Sequence, residues 1–570
     1  MIERRSFIQT AVAAGIVGPA TWARAARNIL AEDSKMRFGL VTYLWGQHLP
    51  LTELIDTCES TGLDGVELRT THAHGVERIM DGKARQQVRD RFADSQVELI
   101  GIGSNERFDS PDPARLDAAM KATRAFLDLS ADVGGSGVKV KPDSFHRGVK
   151  REATIDQIGR SLRALAPYAE DRGQELRLEV HGQCADPAVI ADIIARADHP
   201  AVKVCWNSNP TDLKGGGFKS NYALLRPFFG DTLHCRRLDT EAYPFMDLLE
   251  LLSADGYGGM VLLEAHSQAP RHLHSALENQ RALFDRHAGE SAADRSTEAR
   301  KITIQPGRWN KNLLHVRIGD DPLATCRIGN QNPCLYPLYA PGGRLVVRGF
   351  PMEHRDGEAR DHPHHRACFF AHGDVNGHDF WHGKDCRIRV TDHRIDGDTL
   401  HFTADWIGPD GKVATEKRSM RFSGDEKQHQ IEFDITLIPE DEEMVMGDTK
   451  EGTFAIRLAP SLRLKGERAR GSILNADGLK DNECWGKRSP WVVYEGPVGG
   501  RMVRVRINDD PDNPRHPTWW HARDYGLFAA NPFGRSDFER GADKMPMTVT
   551  RSKPLRLRYT LDLATGTVLS

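Results

Sequence analysis

The sequence predicts a multidomain protein, a (β/α)8 TIM barrel followed by an antiparallel β-sandwich. Three observations carry this. The chain has 570 residues, more than one hydrophobic core usually organises. From Arg37 to about Arg286, eight short apolar runs alternate with stretches of helical period. From residue 302 onward, short runs that alternate apolar and polar residues follow one another across charged turns, with few segments able to hold a long helix.

In the first half the strand runs are RFGLVTY, DGVELR, VELIGIG, GVKVK, ELRLEVH, AVKVCWN, TLHCRRL and GGMVLLEA. The intervening stretches have helical period, as in DAAMKATRAFLDLSADVG, where Met120, Ala125, Phe126, Leu129 and Ala131 are the apolar positions. A doubly wound open sheet is the competitor, but no glycine-rich dinucleotide fingerprint follows the first strand. The polar segment HAGESAADRSTEARK separates the halves. The second half reads LLHVRI, GRLVVRGF, CRIRVTDHR, TLHFTADW, QIEFDITLI, FAIRLAP, WVVYEGPV and RMVRVRI, the pattern of two facing sheets. The predicted boundaries are therefore 36–288 for the barrel, 289–301 for a linker and 302–570 for the sandwich.

Residues 1–27 carry Arg4 and Arg5 ahead of a moderately apolar run and an Ala23-Arg24-Ala25 cleavage site. This predicts a twin-arginine export signal and a periplasmic or extracellular location. No other stretch approaches the ~20 apolar residues of a membrane span. The net charge of −3 gives no electrostatic case for nucleic acid. Nine cysteines without a CxxC pair exclude a disulfide-dense scaffold, leaving at most one or two disulfides. Oligomeric state is not written in the sequence.

In a barrel the C-terminal strand ends converge on the active site. Here they carry Glu67 and Arg69, Lys139 and Lys141, Glu179 and His181, Asn207 and Asn209, His234 and Arg236, and Glu264 and His266. Glutamate and histidine together supply hard oxygen and imidazole ligands for Mn, Mg, Co or Zn. Such an ion polarises a carbonyl and acidifies the neighbouring C–H, while a glutamate or histidine moves the proton. Glu179, Glu264 and His234 are the ligand candidates, and Glu179, Glu264 and His181 the catalytic ones. Lys139, Lys141 and Arg236 are placed as substrate-binding residues, and Glu67 with Arg69 reads as a structural pair.

These features resemble the sugar phosphate isomerase/epimerase superfamily of xylose-isomerase-like barrels. The resemblance covers residues 36–288 and rests on GLDGVELR, LEVH, CWNSNPTDLKG, the strand with His234, and LLEAH. It implies a divalent cation held by Glu, Asp, His and Glu, with Glu179, His234 and Glu264 at the matching positions. Asn207 stands where aspartate is usual, and the histidine common just beyond it is replaced by SNP. An amide oxygen can coordinate, but it removes one negative charge and weakens binding.

Six of the 24 histidines crowd into RDHPHHRACFFAHGDVNGHDFWHG, from Arg360 to Gly383. Their spacing does not match a single-helix metal motif, so a site there needs partners from elsewhere. Glu416, Glu495, His516, Trp519, Trp520, His521, Arg523 and Asp524 are the candidates, tryptophan beside arginine and histidine being suited to stacking on and holding sugars. This half resembles the PmoA-like domain family through GFPMEHRDGEARDHPHHRACFFAHGDVNGHDFW and RHPTWWHARDYGLFAANPFG. The resemblance implies a galactose-mutarotase-type sandwich and one sugar pocket shared by His364, His365, His372, Glu495, His516 and His521, with His364 and His365 as catalytic candidates.

Together these readings predict an exported carbohydrate-active enzyme that abstracts a proton from a keto-sugar or 3-keto-glycoside, leading to epimerisation or β-elimination. The alternatives are a simple sugar isomerase whose sandwich only captures substrate, and a non-catalytic carbohydrate-binding protein.

Overall fold

The structure, a computed structural model, describes residues 36–288, 301–307, 310–329, 332–355 and 357–568. The export signal expected at 1–27 and nearly all of the expected linker lie outside the described residues. The chain divides into two compact units. The first runs to Arg237 and takes in Asp247–Ala269; the second comprises Leu238–Met246, Pro270–His287 and the later chain.

The first unit is a near-closed parallel barrel. All eight apolar runs become its strands: β1 Arg37–Val41, β2 Gly65–Arg69, β3 Glu98–Arg107, β4 Gly137–Lys141, β5 Glu175–Glu179, β6 Val202–Cys205, β7 Thr232–Cys235 and β8 Met260–Leu263. Their order is β6-β5-β4-β3-β2-β1-β8-β7. Between β6 and β7 the ring is drawn together by the His234 N–H donating to the Trp206 carbonyl at 2.7 Å and the Gly230 N–H to Val204 at 3.0 Å. Helices α1 Leu51–Ser60, α2 Gly82–Ala93, α3 Pro113–Val133, α4 Arg151–Asp171, α5 Pro187–Ala197, α6 Phe218–Leu225 and α7 Phe245–Ala254 fall between the strands, and α8 Leu273–Ala288 groups with the second unit.

Local chemistry sets these helices. Asp112 and Asp186 each accept a hydrogen bond from a first-turn N–H, and proline occupies the first helical position of α3 and α5, where its missing N–H costs nothing. Gly134 ends α3 at φ +96°, a left-handed geometry that glycine adopts without strain.

The barrel interior is unusually charged. Arg177 on β5 is fully buried and fills space that Gly101 and Gly137 leave, since a Cβ on Gly137 would lie 2.7 Å from its Cζ. Its guanidinium donates to Glu175 Oε2 at 2.9 Å, to the Ile100 carbonyl at 3.0 Å and to Ser136 Oγ at 2.6 Å. This places a satisfied ion pair beneath the strand ends where the site is built.

The second unit is antiparallel and β-rich. One sheet runs from strand Trp519–Ala522 through Leu527–Asn531, Gly452–Arg457, Cys368–His372, Cys334–Ala340, Asp321–Arg327 and Leu313–Ile318 to Ile302–Pro306. The other runs from Arg387–Asp396 through Thr399–Gly408, Gly411–Gly424, Gln428–Pro439, Leu555–Val568, Arg501–Asp509 and Trp491–Val498 to Ser472–Asn475. They face each other: Phe454 of the first sheet packs against Phe433 and Tyr559 of the second, with ring centres 4.6 and 4.9 Å apart, and Phe370 packs against Trp406 at 5.8 Å.

Strands of the second sheet alternate buried and half-buried residues, as their sequences do. CLYPLYA and CFFAH, buried along their whole length, do not alternate, because both faces are covered. The run GRLVVRGF forms only a two-residue strand, Arg344–Leu345, followed by a single bridge from Val347 to Leu458. All nine cysteines are free and buried, so neither of the allowed disulfides forms.

Candidate functional site

Glu179 ends β5, His234 lies on β7 and Glu264 follows β8, so three different strands deliver them to the same end of the barrel. Each offers one ligand atom, and these atoms lie within 4.8 Å of one another, all in buried side chains. His234 Nδ1 is 3.7 Å from Glu264 Oε2 and 4.0 Å from Glu179 Oε1. On its other side Nε2 is 3.3 Å from Glu67 Oε1. Neither ring nitrogen of His234 and neither oxygen of Glu67 has a hydrogen-bond partner. Buried polar atoms left so are rare and mark a place where another group belongs.

Electrostatics agree with the geometry. Burial alone would neutralise His234, but Cys205, Glu67 and Glu264 around it hold its pKa well above that of a free imidazole. Burial would likewise raise Glu264, yet the charges of His234 and Lys139, with His266 beside it, hold it well below the usual carboxylate range. Glu67 is lowered in the same way: burial opposes its charge, and His234 and Lys139 outweigh burial. The cluster thus favours ionised carboxylates and attracts positive charge.

Glu179 is the most constrained member. Lys139 Nζ donates to Oε2 at 2.7 Å and Asn207 Nδ2 to Oε1 at 2.8 Å. Lys139 is 1% exposed, so it sits inside the cluster as a built-in cation rather than at the mouth. Burial disfavours its charge, but Glu179, Glu264 and Glu67 more than compensate and raise its pKa. Lys141, one step nearer the rim, lies 3.9 Å from Glu179 Oε2 and 3.4 Å from His181 Nε2. Its pKa is lowered by burial and by neighbouring Lys139. His181 is half-buried and its Nδ1 faces Asp143 Oδ1 at 2.7 Å. Arg236 makes no ion pair with the cluster among the described residues.

The donor set suits a divalent ion: two carboxylates and an imidazole on rigid strand ends, with orphaned polar atoms around them. Asn207 fits less well, since its amide N–H side faces Glu179. Asn207→Asp is expected to raise divalent-cation affinity about tenfold through the added charge. Calorimetric titration checks this, and the chelator-treated variant should melt below the parent because three carboxylates then repel one another.

Glu67 is the residue that sequence reading undervalued. It does not pair with Arg69, which instead stacks over Tyr43. The signal was available in GIGS, because a Cβ at Gly103 would come 2.7 Å from Glu67 Oε1, so glycine there makes room for the carboxylate.

In the second unit the predicted residues do not gather into one pocket. Glu495 lies on the other sheet and pairs with Arg504. His372, at the far end of its strand from His365, donates from Nε2 to the Gly447 carbonyl at 2.8 Å, and His521 donates from Nδ1 to the Lys450 carbonyl at 3.0 Å. Burial depresses both imidazoles, to about 4 and about 3. His516 faces Asp509 at 2.7 Å, Trp519 donates to Glu539 at 2.9 Å and the buried Trp520 to the Ser489 carbonyl at 2.8 Å. Arg523 lies over Tyr525, with Cζ 5.3 Å from the ring centre. Glu416 is internal, bonded to Trp406 and Arg418.

What does gather is the loop around His362, His364 and His365. Arg348 and Arg457, both buried, converge on Asp361, and Arg457 Nη2 reaches its two oxygens at 2.9 and 3.2 Å. Arg457 Nη1 also lies 3.2 Å from His365 Nδ1. A guanidinium only donates, so His365 accepts at Nδ1 and carries its proton on Nε2. Asp361→Ala is expected to cost ~1–3 kcal/mol, less than a fully buried partner because Asp361 is 41% exposed. Thermal unfolding of the variant measures this.

Residues 55–209 match the family described as the xylose isomerase-like TIM barrel. Residues 314–570 match DUF6807, a family of unknown function. This corrects the resemblance to the PmoA-like family: the matching family is a distinct one, and among the described residues no helix is long and apolar enough to cross a membrane. No curated protein matches the chain. Among solved structures, an L-ribulose 3-epimerase is similar at 15% identity and TM-score 0.39, over 44% of this chain and 93% of that one. A D-psicose 3-epimerase from Clostridium cellulolyticum H10 is similar at 18% and 0.36, over 43% and 89%. A 3-keto-D-glucoside 4-epimerase from E. coli gives 18% and 0.36, over 43% and 99%.

Proposed function

We propose that the chain is a metal-assisted carbohydrate-modifying enzyme whose barrel transfers a proton at the carbon beside the carbonyl of a keto-sugar. The observation that carries this is the buried Glu179, His234 and Glu264 group, placed where a xylose isomerase-like barrel conducts its chemistry. Glu179, His234 and Glu264 would hold a divalent ion, which would supply Lewis-acid charge for a sugar carbonyl.

The chain's own residues do the rest. Lys139 and Asn207 pin Glu179 in one orientation, making it the positioning carboxylate. Glu264, ionised and followed two residues later by the exposed His266 at 3.6 Å, is the proton acceptor. Lys141 and His181, on the rim side, bind substrate hydroxyls and return a proton to the opposite face or to a departing group. With the keto group at C3, loss of the C2 proton leads to epimerisation, or to β-elimination of a C1 substituent without the paired carboxylates of ordinary glycosidases.

The experiment is solvent exchange. Free ketoses and 3-keto-glycosides incubated with the metal-loaded protein in D2O should gain deuterium beside the carbonyl, followed by NMR. Release of the aglycone identifies elimination, and interconversion of free sugars identifies isomerisation. No exchange into any of them sinks the proposal.

A second reading, a carbohydrate-binding protein without turnover, is favoured by one observation. Both Glu179 oxygens are already engaged, one by a lysine that can stand in for part of an ion's charge. Sugar binding unchanged by chelator, with no exchange, supports it.

The galactose-mutarotase likeness of the second unit belongs to this proposal, supported by its two facing antiparallel sheets. So does export, supported by the Arg4 and Arg5 signal and testable by fractionating cells that express the full chain.

A further inference from the structure

The charged residues at the barrel's end lie in two layers, and only the inner layer balances. There Glu67, Glu179 and Glu264 are three buried carboxylates, and the buried Lys139 supplies one positive charge in contact with Glu179. A divalent ion held by Glu179, His234 and Glu264 would supply the two that remain. No charge is then left over.

Two residues on from Glu67, Lys139 and His234 stand Arg69, Lys141 and Arg236. Arg69 ends β2 and Lys141 ends β4, so the two-residue period of a strand puts each on the side of its inner neighbour, one layer nearer the end where substrate enters a barrel. Arg236 directly follows β7. Among the described residues Arg69 and Arg236 make no ion pair, and Lys141 reaches only Glu179, at 3.9 Å.

The neighbours of this collar do not neutralise it. Arg69 lies over the Tyr43 ring, 5.4 Å from its centre, and donates to His72 Nε2 at 3.4 Å. Burial first, and then Arg69, push His72 down to about 4, so it stays neutral. Arg236 keeps a buried Nε without a hydrogen-bond partner. Asp143, the carboxylate beside His181, is taken up by Arg107 at 2.7 Å. Arg69 is also near enough to Lys141 for their charges to repel. Cations held partly out of water cost free energy unless an anion meets them.

We propose that the barrel's substrate is an acid sugar, a keto-sugar bearing a carboxylate, which Arg69 and Lys141 hold while Arg236 adds to the attracting field. This rests on the barrel reading above and names the substrate class of that site. The guanidinium fork matches the two oxygens of a carboxylate. A phosphate in a barrel is instead cradled by backbone N–H groups of the loops after the seventh and eighth strands. Here those loops, residues 236–244 and 264–271, contain no glycine to open the backbone to such a group.

The test is calorimetric titration of the full chain, loaded with Mn(II), with three sugars that differ at C6: D-fructose, D-fructuronate and D-fructose 6-phosphate. D-fructuronate should bind at least ~10-fold more tightly than D-fructose, the size of one charge-assisted hydrogen bond, and the preference should shrink as salt is raised. Arg69→Gln should lower D-fructuronate affinity ~10-fold or more and D-fructose affinity far less. Arg236→Gln should act in the same direction and keeps the test open if the Arg69 variant folds poorly. Equal affinity for the acid and the neutral sugar, tighter binding of the 6-phosphate than of the acid, or a preference that survives both substitutions overturns this inference. Deuterium exchange into D-fructose as fast as into D-fructuronate overturns it while leaving the barrel reading in place. A preference for the acid without exchange into either sugar overturns the barrel's chemistry alone, and no binding of any of the three overturns both.

Discussion

Glu264→Gln is expected to abolish deuterium exchange into keto-sugars, lowering kcat/KM by at least about 10³-fold, or ~4 kcal/mol of transition-state stabilisation. The substitution keeps the shape of the side chain and removes its charge. In the proposed mechanism two functions go with that charge: the third ligand of the buried group and the acceptor of the substrate proton. His234 loses one of the carboxylates that hold it, so the ion should be lost even though the barrel stays folded. Elemental analysis and the exchange assay on the same sample check both. Retention of the ion with loss of exchange would restrict Glu264 to proton transfer; full activity would remove the barrel site from the mechanism.

Arg177→Met is expected to be the most damaging change outside the site, costing ~3–5 kcal/mol because it strands a buried carboxylate. Glu175, 3% exposed, would keep only the Asp231 N–H at 3.0 Å, and the Ile100 carbonyl and Ser136 hydroxyl would each lose a donor. At ~2–4 °C per kcal/mol for a domain of this size, the melting temperature should fall by about 6–20 °C. Adding Glu175→Gln should recover part of the loss, since it removes the unpaired charge. A fall below about 1 kcal/mol would show that water reaches the barrel interior and that the pair is not the organising feature it is taken to be.

The barrel was legible because its strands announce themselves individually: every apolar run from RFGLVTY to GGMVLLEA became one strand of a single parallel ring. The same register logic exposed Glu179, His234 and Glu264, since a charged residue closing an apolar strand has few other uses in a barrel. Lys139 and Glu67 were harder. Each is an alternating inward position on its strand, and sequence cannot distinguish a charge that reaches the rim from one that closes inward on a partner from another strand.

In the second unit, chemistry along the chain did not translate into proximity. His364 and His372 are eight positions apart in sequence, yet they flank opposite ends of one strand, and Glu495 is on the other sheet. The composition of a sequence window says which groups are present, whereas sheet order and strand direction decide which of them meet. The sequence by itself determined two domains, the strand periods of each, and the ligand types at the barrel's end, because these follow from local periodicity and residue chemistry. Only the tertiary structure decided that Lys139 neutralises Glu179, that Glu67 faces His234, and that Arg348 and Arg457 brace the histidine loop, because those pairings join residues that lie on different segments of the chain and meet only through strand order and packing.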